Sequence, residues 1–169
     1  MTNKDVIELW NKLNELANNS FPGFTKFRYF VARNISILTG PIQVMQASNT
    51  PSKEFQQFND ERVKLARGYA IKAEDGQLIL DAQGNFRIPF DKLSMLEMDI
   101  EALKKDKYPG VVEEEEARIE DWNKFLADEY SVIDYMLLHK IKMGDTPEMV
   151  NAAQLSVFLT CNLILEDEA

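Results

Sequence analysis

A single cysteine, a single histidine and no long apolar run mark this 169-residue sequence. One cysteine excludes a disulfide within the chain, and a chain without disulfides suits a reducing compartment. Cys161 lies in the apolar segment Val157-Phe158-Leu159-Thr160-Cys161-Asn162-Leu163-Ile164-Leu165. No basic residue stands nearby in sequence to lower its pKa, so it reads as a small buried hydrophobe. A membrane helix needs about 18 or more consecutive apolar residues, and no such stretch exists. Met1-Thr2-Asn3-Lys4-Asp5 leads into an amphipathic segment and not into an apolar one, so the reading expects no secretory signal and a cytoplasmic protein.

The lone histidine, His139, and lone cysteine cannot make a common structural zinc site. No Gly-x-Ser-x-Gly elbow accompanies His139, which falls on an apolar-rich strand face and reads as structural or surface, not as a catalytic base. The seven glycines are scattered, so no loop cradles a phosphate. No cofactor is expected.

What the chain does have is acid, with a formal net charge of -9. The charge is uneven: residues 1–85 hold ten Lys/Arg against nine Asp/Glu, and residues 86–169 hold nine against nineteen. That second half repels phosphate backbones, so direct nucleic-acid binding is not expected and another protein is the expected partner.

Periodicity organises the rest. Val6, Leu9, Trp10, Leu13 and Leu16 form one helical stripe, opened by Thr2 and Asp5 at capping-box spacing. A second helix begins near Thr25 with Phe27, Phe30, Val31, Ile35 and Leu38 inward, and Gly40-Pro41 ends or kinks it. Thr50-Pro51 restarts a third. Leu78, Leu80, Phe86 and Ile88 alternate about Gln83-Gly84-Asn85, which predicts a β-hairpin at 77–89. Leu93, Leu96, Ile100 and Leu103 mark a fourth helix, Ile119, Trp122, Phe125 and Leu126 a fifth at about 112–129, and the short turn between them implies a helical hairpin over 91–129. Period two from Ser131 to Met143 predicts a long strand to pair with the hairpin. Asn151 and Gln154 open a last helix, and Glu166-Asp167-Glu168-Ala169 is a solvated tail. No internal repeat is evident. The expected fold is one α+β domain over 1–169, mostly helical, with a small antiparallel sheet (77–89 and 131–143) and 91–129 as a protruding arm.

The order of motifs adds a resemblance. Lys26-Phe27-Arg28-Tyr29-Phe30-Val31-Ala32-Arg33-Asn34 precedes a kinked helix; Glu61-Arg62, Ala70 and Glu74-Asp75-Gly76 follow, then Leu138-His139-Lys140-Ile141-Lys142 and Pro147 through Ala153-Gln154-Leu155. Together these resemble a family of small uncharacterised proteins of tailed bacteriophages and prophages. The resemblance implies a phage accessory protein made inside a bacterial host, with no catalytic residues to carry over.

Carboxylates are the remaining candidates. Glu113, Glu114, Glu115 and Glu116 form an acidic run that could meet a basic partner. Glu97 and Glu101, an i,i+4 pair, together with Glu116 and Glu120 could bind magnesium between antiparallel helices, as in all-helical nucleotide pyrophosphohydrolases. The competing description is a solvated charged face. In Lys26-Phe27-Arg28-Tyr29, helical spacing sends Phe27 and Phe30 inward and the cations outward, against a base-stacking platform. The reading favours a non-enzymatic phage protein acting by protein–protein contact, in virion assembly or inhibition of a host factor, with a magnesium-dependent hydrolase and an acidic DNA mimic as alternatives.

Overall fold

The computed structural model describes residues 1–131 and 137–165. These divide into two compact units, Met1–Asn49 with Asp121–Ala169, and Thr50–Glu120. Residues 132–136 of the expected strand and the tail 166–169 lie outside the described residues.

In the first unit, Thr2 and Asp5 open helix α1 (Asn3–Ala17) as a complete capping box: the Asp5 N–H donates to Thr2 Oγ1 and the Thr2 N–H to the Asp5 carboxylate. Two otherwise orphaned donors are thereby satisfied. Val6, Leu9, Leu13 and Leu16 then bury one stripe against helix α2 (Thr25–Ser48), which presents Phe27, Phe30, Val31, Leu38, Ile42 and Met45. Pro41 sits inside α2 and does not end it. Its ring removes one N–H from the ladder, but Ile42 and Met45 are buried just beyond it, and burying two large apolar side chains offsets the loss at about 1.5–3 kcal/mol each.

The β contribution to this unit differs from the long strand expected at 131–143. Only Ile141–Lys142 (β1) is strand among the described residues of that stretch, and it pairs in parallel with Ile164–Leu165 (β2). A short 3-10 turn, Met143–Asp145, follows β1. The second unit holds α3 (Lys53–Tyr69), α4 (Phe90–Asp106) and residues 111–120 of α5 (Val111–Ala127), whose remainder belongs to the first unit. The crossover between β1 and β2 is then α6 (Ala152–Thr160), opened by the expected Asn151–Gln154 capping box. Parallel neighbours need such a crossover of a dozen or more residues. The sheet is thus a two-stranded parallel pair and not the antiparallel sheet expected, and two-residue strands leave no periodicity by which the sequence could announce it.

One buried polar residue fixes the β1 approach. Asn34, fully buried on α2, accepts the His139 N–H through Oδ1 (2.7 Å) and donates through Nδ2 to the His139 carbonyl (2.9 Å). A side-chain amide thus replaces the neighbouring strand that this backbone lacks. The core is closed by rings, with Phe27 edge-on to Phe21 at 5.1 Å and Phe158 of α6 edge-on to Phe30 at 5.3 Å.

In the second unit, α3 is capped by Ser52, two residues later than expected; its hydroxyl accepts the Phe55 N–H. Helix α4 packs along α3, and not chiefly along α5 as a 91–129 hairpin arm would. Between α3 and α4 the expected hairpin exists as isolated antiparallel bridges, Lys72↔Leu78 and Leu80↔Phe86. Its third partner is the segment at Ile71. The Ile71 N–H donates to the Arg87 carbonyl, Ile79 to Ile71, and Arg87 to Ile79, each at 2.9 Å, closing a triangle with one vertex every eight residues. Ile71 to Leu78 and Ile79 to Phe86 are two copies of one turn, an internal repeat that composition hides. Each copy reverses through a glycine at φ +83°, Gly76 and Gly84, a conformation that side-chain-bearing residues resist.

Candidate functional site

The four acids of the run 113–116 do not act alike. Glu113 bonds Lys104 Nζ at 2.8 Å, which holds its carboxyl below the usual range. Glu115 is only 8% exposed and grips the Arg118 guanidinium with both oxygens (2.7 and 2.8 Å), which likewise lowers its pKa. This fork-on-fork geometry is the strong form of an ion pair. Glu114 and Glu116 are exposed. Half of the run is therefore engaged within the chain, Glu113 across to α4 and Glu115 along α5.

The acids named for magnesium are not assembled around a cavity. Glu97, Glu101, Glu116 and Glu120 are all exposed, and among the described residues no three His, Cys, Asp or Glu side chains come together to hold a metal ion. A positive charge does lie among them. Lys104, bonded to Glu113, also feels Glu101 and Glu116, and its pKa is raised, chiefly by the Glu113 hydrogen bond. The lysine that suits the dipole at the end of α4 thus also neutralises the acids across the turn.

On the same unit, Glu61 of α3 binds Lys107 and accepts the Tyr108 hydroxyl, and its carboxyl is held down mainly by the lysine. Tyr69 donates to Asp99, which raises the phenol's pKa. These pairs clamp α3 to α4 and to the turn that follows it.

His139 stands on the first unit, exposed, with its ring edge-on to Tyr29 at 5.3 Å. It borders an open cleft of about 480 Å³ lined by Lys26, Lys140, Lys142 and Asp145, in which Lys26 pairs with Asp145 at 3.0 Å. Lys26, Arg28 and Arg33 point outward and Phe27 and Phe30 inward, as the helical spacing expects. Cys161 is buried, and burial pushes its thiol up to about 12, so it is a packing group and not a nucleophile.

The feature that sequence reasoning passed over is apolar. Phe90 is 91% exposed, Met98 72% and Met95 55%, all on α4, with Leu80 exposed on the triangular turn. The signal was available: Leu93, Leu96, Ile100 and Leu103 already complete one helical stripe of the sequence, so Met95 and Met98 are surplus to it. Among the described residues no helix is long and apolar enough to cross a membrane. No protein-family model, curated protein or solved structure matches the chain.

Proposed function

We propose that this chain performs no chemistry of its own and works by contact with another protein, with the second unit as the contact-bearing part. The observation that carries this reading is the apolar surface of α4 and the adjoining turn: Leu80, Phe90, Met95 and Met98 face solvent. Only Phe58, Ala70, Leu96 and Tyr108 are buried apolar residues of the same unit. Large apolar side chains grouped on one element, outside a small core, are what a partner surface covers. The accessory role in a phage-infected cell, in virion assembly or inhibition of a host factor, is the setting in which the resemblance places such a contact.

The test compares the tagged chain with a Phe90→Ser, Met95→Ser variant in affinity purification from the bacterial host. The expected result is one protein recovered in near-stoichiometric amount by the parent and at least about tenfold less by the variant, the size of loss that anchor residues produce. A variant of unchanged circular dichroism with undiminished recovery would sink the reading. A Glu114→Ser, Glu116→Ser variant separates the apolar anchor from the acidic run.

A further inference from the structure

We propose that α4 is a self-association surface, on which two copies of this chain pair their α4 helices antiparallel about a two-fold axis at Met98. The inference rests on the reading of the second unit as contact-bearing and names one occupant for it, a second copy. Met98 is the midpoint of the seventeen-residue helix and is 72% exposed. Seven residues advance an α-helix by two turns less about 20°, so Asp91, Met98 and Lys105 share one face. Ser94 and Ala102, four residues to either side of Met98, lie on the same face. All five are exposed.

The two-fold turns this arrangement into complementarity. An antiparallel match about Met98 sets each Asp91 against Lys105 of the second copy, twice per pair. It sets Ser94 against Ala102, small residues that let the helix axes approach closely, and Met98 against itself. Phe90 and Met95 flank the seam on opposite sides. Neither Asp91 nor Lys105 has an ion-pair partner among the described residues, whereas Lys104 and Lys107 on the same turn are both engaged within the chain. An isologous contact demands this symmetry, in which one residue meets another and the reverse holds in the same interface. A contact with an unrelated protein has no need of it. A single helix pair is at the small end of interface sizes, so the dimer is weak and concentration-dependent.

Sedimentation equilibrium of the purified full chain tests this without any other protein present. The expected result is a monomer–dimer equilibrium that Asp91→Lys and Lys105→Asp each weaken about tenfold, the scale of two exposed ion pairs lost per dimer. The double variant Asp91→Lys, Lys105→Asp restores the parent affinity, a recovery that a folding defect cannot mimic. A Met98→Cys variant should be joined into dimers by a short bis-maleimide, since the native Cys161 is buried. The proposal is overturned by a parent chain that stays monomeric up to about 1 mM, by a double swap that fails to restore pairing, or by dimers that Met98→Cys does not cross-link. A monomeric parent that still recovers a host or phage protein would reject self-pairing alone, leaving the wider contact reading in place.

Discussion

The two units solve the same problem with different materials. The first buries α1, α2 and α6 around Phe27, Phe30 and Phe158, and Asn34, the one fully buried polar side chain among its described residues, is satisfied by the His139 backbone. The second has four buried apolar residues and is held largely by polar clamps at the surface: Glu61 with Lys107 and Tyr108, Tyr69 with Asp99, Glu113 with Lys104. Exposed ion pairs contribute little each, about 0–1 kcal/mol, whereas a buried phenylalanine contributes several times that. A unit built on clamps leaves its apolar side chains for another surface, which is the physical content of the functional reading.

The sharpest way to break this comparison is to truncate one ring in each unit. Phe30→Ala, at a fully buried site gripped by Phe27 and Phe158, should cost about 3–5 kcal/mol. Phe58→Ala, under Tyr108 and near the surface, should cost about 2 kcal/mol, because a shallow site collapses more readily. Urea denaturation followed by hydrogen exchange reads both; equal losses would erase the distinction. Next in size is Asn34→Ala, which strands the N–H and carbonyl of His139 and should cost about 2 kcal/mol. Exchange of the 138–142 amides should rise with it.

The same Gly→Ala exchange should then change sign within the second unit. Gly68 lies inside α3 with open space where a Cβ would go, so Gly68→Ala should stabilise by about 0.5 kcal/mol. Gly84 has equal space but φ +83°, so Gly84→Ala should destabilise by about 1–2 kcal/mol through backbone strain alone. Thermal melts of the two variants decide it, and shifts of the same sign would refute the conformational account.

Legibility in the sequence followed the range of each interaction. Both capping boxes, Thr2 with Asp5 and Asn151 with Gln154, were readable because three residues suffice to make them. The Glu115–Arg118 fork spans the same distance, but four consecutive glutamates offer Arg118 more than one partner by spacing alone, and only burial singles out Glu115. The bonds of Asn34 to His139 cross 105 residues, and the parallel partner of Ile141 comes only after α6; no local period announces either. The triangle at Ile71, Ile79 and Arg87 was half legible. Its glycine turns were seen, but its vertices differ in chemistry, and only backbone hydrogen bonds make them equivalent.

The smallest predicted effect is also the most selective, because pH reaches the units from opposite ends. Glu61, Glu113 and Glu115 of the second unit are held below their ordinary 4.5 by Lys107, Lys104 and Arg118. A depressed folded-state pKa means stabilisation that is present above pH 4.5 and is lost as pH falls through the folded value. Cys161 of the first unit is raised by burial from 9.0 to about 12, so its contribution is complete below pH 9 and is lost as pH rises toward 12. Acid should therefore raise amide exchange in α3 and α4 before it does so in α1 and α2, by a modest factor since the Glu61 and Glu113 clamps are solvent-exposed. A Glu115→Gln, Glu113→Gln variant should flatten that acid response without altering the alkaline one. Cys161→Ala should do the reverse between pH 9 and 10, before Tyr69 and Tyr108 of the second unit, both raised above 10.0, begin to ionise. Acid loosening that began in α1 and α2 would mean that the surface clamps are not what holds the second unit together.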